Sequence, residues 1–125
     1  LKMERSVIFA GGVPREKIFS YLKAADLFVF SSKTETQGLV ISEAQACGRP
    51  VVAVNARGGA EIVRDGRDGY LVAEDRAAFA QAVVDLLGDP VKRKAFGAAA
   101  AEKIAQEYSL GVFGRRVEAI YNNVL

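Results

Sequence analysis

Between Ala25 and Pro50 the chain lays down an apolar run, a polar turn hinged on a single glycine, and a second run closed by Gly48 and Pro50. Few folds accept that order. Ala25-Asp26-Leu27-Phe28-Val29-Phe30-Ser31-Ser32 is apolar, aromatic and β-branched, then closed by small polar residues, which predicts a buried parallel strand. Leu39, Val40, Glu43, Ala44, Gln45, Ala46 and Cys47 continue without glycine or proline, so they predict a helix, and Gly48 and Pro50 stand where a helix ends. Glu35-Thr36-Gln37-Gly38 therefore forms the strand-to-helix turn of a parallel sheet, the place where such sheets bind ligands.

The residue types at that turn narrow the ligand. The backbone amides of Gly38, Leu39, Val40 and Ile41 are expected to be the unpaired donors of a helix N-terminus, at the positive end of its dipole, an arrangement that favours a phosphate. Gly38 has no Cβ, so a diphosphate can approach the backbone closely. Glu35 stands three residues before the glycine, in the loop; Glu43 stands about a turn and a half into the helix. Ionised carboxylates only accept hydrogen bonds, so they suit the paired hydroxyls of a ribose or a hexose. Two acids beside an anion make sense when hydroxyls lie between them, which favours a sugar diphosphate over free phosphate. The plainer alternative makes Glu35 a loop solvator and Glu43 an exposed helix residue; the surrounding strand, glycine and helix favour the functional reading.

Ser31-Ser32, Glu35-Thr36-Gln37-Gly38-Leu39, Glu43-Ala44, Gly48-Arg49-Pro50-Val51-Val52-Ala53 and Gly58-Gly59-Ala60-Glu61 together resemble the retaining GT-B glycosyltransferases, the large group that includes sucrose, glycogen and phosphatidylinositol-mannoside synthases. Asp65-Gly66-Arg67-Asp68-Gly69-Tyr70-Leu71-Val72 is similar to that family's turn into its last strand. The resemblance implies that Glu35 is the candidate catalytic residue, contacting donor-sugar hydroxyls near the reacting carbon. It implies that Val13, Thr36, Gln37, Gly38, Leu39, Val40 and Glu43 bind the donor: the Gly38 and Leu39 amides hold the diphosphate, Glu43 accepts from both ribose hydroxyls, and the Val13 backbone meets the base. Thr36-Gln37 replaces the common Gly-Phe, a variant that resembles the branch glucosylating diacylglycerol and related lipids. Such enzymes need no metal and no cofactor, the departing phosphate oxygen taking the acceptor proton; the expected co-substrate is a nucleoside diphosphate sugar, a UDP-sugar first. The family's diphosphate-clamping Arg and Lys have no matching segment in this chain.

Composition agrees with one α/β domain over residues 1–125. Half of the residues are hydrophobic, the charges are dispersed, and the formal charge of +2 argues against nucleic acid as a partner. There is no histidine, which excludes His-based triads and His-ligated metals in this chain, and the single Cys47 lies among small residues, as a packing residue would. A reducing, cytoplasmic setting fits these features.

The expected architecture is a Rossmann-like parallel sheet of about four strands (Val7–Ala10, Leu27–Phe30, Val51–Val54 and Tyr70–Val72) with helices on both faces and a helical C-terminal tail, a partial GT-B C-terminal domain. A helix is predicted from about Arg15 to Ala25 behind Pro14, a short one from Gly58-Gly59 to Arg64, and three from Asp75 onward, broken at Gly88-Asp89-Pro90 and Ser109. Gly58-Gly59 reads first as a tight bend and second as an approach to the sugar.

The last helix, residues 109–125, carries an apolar stripe with Arg115-Arg116 beside it. Similar enzymes send this helix across to their N-terminal domain; a peripheral contact with the inner face of a membrane is the alternative. The chain begins at Leu1 and reaches its first apolar run at once, so it is expected to be the later part of the nucleotide-sugar half of a longer enzyme, inactive alone and partnered by its own N-terminal domain. Two rival readings are a GT-B sugar-nucleotide epimerase, which would need acid–base residues that are not evident here, and a non-catalytic Rossmann-like regulatory domain.

Overall fold

The computed structural model describes residues 3–124. Three parallel strands, β1 (Phe28–Phe30), β2 (Val51–Val54) and β3 (Gly69–Val72), form a sheet in the order β1-β2-β3, with Phe28 opposite Val51 and Val51 opposite Gly69. All four residues of β2 are buried, as expected of a central strand whose β-branched side chains pack on both faces. Parallel neighbours need crossover helices. These are α2 (Leu39–Ala46) between β1 and β2, and α3 (Gly59–Ile62) between β2 and β3, with α1 (Arg15–Ala24) ahead of the sheet. The core joins Leu22 of α1, Ile41 and Ala44 of α2, Val51 and Ala53 of β2, and Ile62 and Val63.

Three helices follow: α4 (Arg76–Gly88), α5 (Pro90–Glu107) and α6 (Leu110–Val124). Asp75 caps α4 by accepting from the Ala78 amide at 2.7 Å, and Asp89 caps α5 by accepting from the Lys92 amide at 2.8 Å. Pro90 opens α5 where its missing N–H costs nothing. α5 then runs back against α2. Their approach is close because Gly97 faces the Gly48 carbonyl, which a Cβ at 97 would overlap, and Gly48 itself turns the chain out of α2 at φ +70°.

The sequence expectation of a fourth strand is corrected. Residues 7–10 run outside any strand and are exposed, Ile8 at 91% and Phe9 at 94%. An apolar run becomes a strand only where a partner strand satisfies its backbone, and these residues meet none among the described residues. The β1 outer edge is unpaired among the described residues, and Val29 on it is half exposed. Elsewhere the expected elements appear with ends moved by a residue or two: α1 stops at Ala24, β1 starts at Phe28, α3 ends at Ile62 and β3 starts at Gly69. Leu125 of the expected last helix lies outside the described residues. α6 buries no residue, and Leu110, Phe113, Ile120, Tyr121 and Val124 of its apolar stripe are exposed. No helix among the described residues is long and apolar enough to cross a membrane.

Candidate functional site

At the carboxyl end of β1 the chain passes through Ser31-Ser32 into the loop before α2, where Gly38 takes φ +60°, ψ 28° as the N-cap. That left-handed conformation favours glycine. Space also demands it, because a Cβ at Gly38 would stand 2.5 Å from Cδ1 of Ile62 and 3.0 Å from the Gly58 carbonyl oxygen. The Gly58 turn in turn lies against the loop, where a Cβ would come within 2.8 Å of the Glu35 carbonyl oxygen and 3.0 Å of its Cγ. The two glycine turns are thus one packed unit, and the Gly58-Gly59 bend forms the floor of the α2 N-terminus. Glu61, in the first turn of α3, is exposed.

Glu35 turns back on its own loop. Its Oε1 accepts from the amides of Thr36 and Gln37 at 3.0 Å each and from that of Gly38 at 3.2 Å. These hydrogen bonds to the ionised form, Gln37 first and Gly38 next, hold the carboxyl below its ordinary value of 4.5. The expectation of four open donors is corrected accordingly. The Gly38 amide is taken by Glu35, and the Ile41 amide donates to the Gly38 carbonyl at 3.0 Å. The amides of Leu39 and Val40 have no acceptor among the described residues. Ordinary helix-end counting missed this because a side chain, rather than a ligand, can fill the nest of amides. One oxygen of Glu35 is thus tethered, and Oε2 is left without a partner among the described residues.

Glu43 points elsewhere. Leu39, Ser42 and Glu43 share a cleft of about 310 Å³ with Arg15 and Phe19 of α1 and with Tyr108 beyond α5. The Glu43 carboxylate is about one-third exposed and lies 3.9 Å from the Arg15 guanidinium, which is itself almost fully exposed. That exposed pair is weak and easily exchanged for a ligand. Val13 is half-buried at the entrance to α1, one residue before Pro14. Thr36 and Gln37 are exposed, as is Leu39, while Val40 is half-buried against the core. A larger cleft of about 490 Å³ lies at the carboxyl ends of the strands among Ser31, Lys33, Val54, Glu74 and Phe79, bridged by a Lys33–Glu74 ion pair of 2.5 Å. It contains neither motif glutamate and no motif amide. No cluster of three or more metal-ligating side chains occurs among the described residues. Cys47 is half-buried at the end of α2, packed against the core.

A model of the family described as glycosyl transferases group 1 matches residues 1–89. The chain belongs to the group 1 glycosyltransferases. Among the relatives of this group 1 chain is the alpha-maltose-1-phosphate synthase of Mycolicibacterium smegmatis, 37% identical over an alignment of 119 residues that covers 90% of this chain and 31% of the synthase. Among solved structures, sucrose-phosphate synthase from Thermosynechococcus elongatus superposes with a TM-score of 0.84 at 27% identity, over 98% of this chain and 31% of that one. Anabaena Alr3699/HepE in complex with UDP gives a TM-score of 0.81 at 27% identity, over 87% of this chain and 30% of HepE. This group 1 chain spans less than a third of the length of each of these proteins.

A second polar cluster lies behind α2, and sequence reading missed it. Asp68, 1% exposed, accepts through Oδ1 from Gln45 Nε2 at 2.8 Å and from the Arg64 amide at 2.9 Å, and through Oδ2 from Lys103 Nζ at 2.7 Å. Lys103, 3% exposed, also donates to the Ile62 carbonyl. Burial pushes the Lys103 ammonium down from its ordinary value, and Asp68 opposes that shift. A signal was present: Lys103 continues the buried small-residue stripe Gly97, Ala100 on α5 at helical spacing, and a lysine on such a stripe needs a partner.

Proposed function

We propose that this chain is the donor-binding part of a retaining glycosyltransferase that moves a hexose from a nucleoside diphosphate sugar to a lipid or saccharide acceptor. The observation that carries the reading is the pairing at α2. Two free N-terminal amides, Leu39 and Val40, precede a carboxylate, Glu43, that shares a cleft with Leu39. The amides and the helix dipole suit the diphosphate, and Glu43, one turn further on, suits the ribose hydroxyls. HepE, which shares this fold, binds UDP, and this supports a uridine diphosphate sugar as the donor.

Glu35 completes the arrangement. Three backbone amides hold Oε1 and keep the group ionised, so Oε2 accepts from donor-sugar hydroxyls without itself carrying a proton. A carboxylate fixed in this way is pre-oriented, which is the positioning that glycosyl transfer needs. In the transition state charge builds on the leaving diphosphate, and the Leu39 and Val40 amides stabilise it there. That oxygen then takes the acceptor proton on the same face of the sugar, a scheme that calls on no metal. The half-buried Val13 backbone meets the base, and the acceptor is bound by another part of the enzyme, reached by α6.

Calorimetry of the chain with UDP, GDP and ADP tests this reading. Saturable UDP binding that weakens about tenfold in Glu43→Gln, equivalent to ~1.4 kcal/mol for a lost charge-assisted pair, is the expected result. Equal binding by wild type and Glu43→Gln would contradict the ribose assignment.

A further inference from the structure

A buried Lys–Asp pair is a poor way to gain stability, since taking both charges out of water offsets most of their attraction, and apolar residues of similar volume serve as well or better. Gln45 adds to the cost, because its Oε1 is buried without a hydrogen-bond partner among the described residues while Nε2 is committed to Asp68. What such a cluster supplies is direction, since each bond fixes an angle as well as a distance.

The cluster meets the donor helix at two points. At one, Gln45 sits on α2 two residues beyond Glu43, about 200° around the helix, so holding it inward sets the rotation that presents Glu43 to the cleft. At the other, Lys103 donates to the carbonyl of Ile62, and the Ile62 side chain lies beneath Gly38, with Cδ1 2.5 Å from where a Cβ would stand. One lysine on α5 is therefore tied to the α2 N-terminus through Ile62 and to its middle through Asp68 and Gln45. We propose that Gln45, Asp68 and Lys103 are positioning residues that fix the rotation and depth of α2, and so how its free amides and Glu43 are presented to the cleft shared with α1. The proposal rests on the donor-site reading for its consequence in binding, but its structural core is testable without ligand.

The experiment compares the 125-residue chain with Gln45→Met, which leaves the Asp68–Lys103 pair intact, and with the triple variant Gln45→Met, Asp68→Leu, Lys103→Met, which exchanges the cluster for apolar volume. Amide hydrogen exchange is read in α2 from Glu43 to Cys47 and in α4 from Val83 to Leu86. The expected result is exchange about tenfold faster in α2 relative to α4 in either folded variant, even where the thermal midpoint is kept. A parallel UDP titration should show affinity reduced about fivefold, a change that lost global stability alone does not cause while the chain stays folded. Equal changes of exchange in α2 and α4 would overturn the positioning role, whatever UDP does. If wild type binds no UDP while α2 loosens selectively, the donor reading fails and the positioning of α2 stands.

Discussion

Gly58 lies against Glu35 so closely that a single methyl group at 58 would come within 2.8 Å of the Glu35 carbonyl oxygen. The same residue holds φ +86°, ψ −57°, a γ-turn geometry that strains any L side chain. Gly58→Ala is therefore expected to cost about 2 kcal/mol of stability, from strain and overlap together. Urea denaturation measures that cost. The carboxyl carbon-13 resonance of Glu35 should move in the same variant, since the clash falls on its backbone and Cγ.

The three amides on Glu35 Oε1 make a prediction about acid. The folded chain holds this carboxyl below its ordinary 4.5, so its contribution to stability is present above that value and is lost as pH falls through the folded-state titration. NMR titration of the Glu35 carboxyl should give a midpoint under 4.5 in the folded chain. Glu35→Gln should abolish the associated acid-side loss of stability, and an unchanged acid limb in that variant would contradict the tether.

Two glycines on neighbouring helices should behave in opposite ways. Gly97 faces the Gly48 carbonyl so closely that a Cβ overlaps it, whereas Gly114 on α6 has open space around it. Gly97→Ala is expected to separate α5 from α2 at a cost of about 2 kcal/mol, as overpacked sites do. Gly114→Ala should stabilise by about 0.5–1 kcal/mol through helix propensity alone. Thermal unfolding of the two variants side by side measures both signs.

These contrasts show what a sequence makes legible. β2 and α2 were readable because their signals are local: four consecutive apolar residues in one case, and an uninterrupted run ended by Gly48 and Pro50 in the other. The residues 7–10 carry the same apolar signal as β1, yet no sequence pattern reports whether a partner strand is present, and here they do not pair. At the candidate site, the glycine hinge at Gly38 was legible, and Glu35 and Glu43 could be named. That Glu35 would cap its own loop was not legible, because a carboxylate three residues before a helix N-cap serves equally as cap or as ligand contact. The Gln45–Asp68–Lys103 cluster joins residues 23 and 35 positions apart, and only the tertiary packing of α5 on α2 brings them together.

On the proposed function, the N-terminus of α2 and Glu43 hold a nucleoside diphosphate. The most direct measurement is a nitrogen-15 NMR titration of the chain with UDP-glucose, run beside GDP-mannose, ADP-glucose and the Glu43→Ala variant. Saturating shifts at Leu39, Val40 and Glu43 are expected with UDP-glucose, with smaller or no shifts for the other two donors and loss of the effect in Glu43→Ala. Shifts that saturate elsewhere, as around Lys33 and Glu74, or none at α2 with any donor, would contradict it.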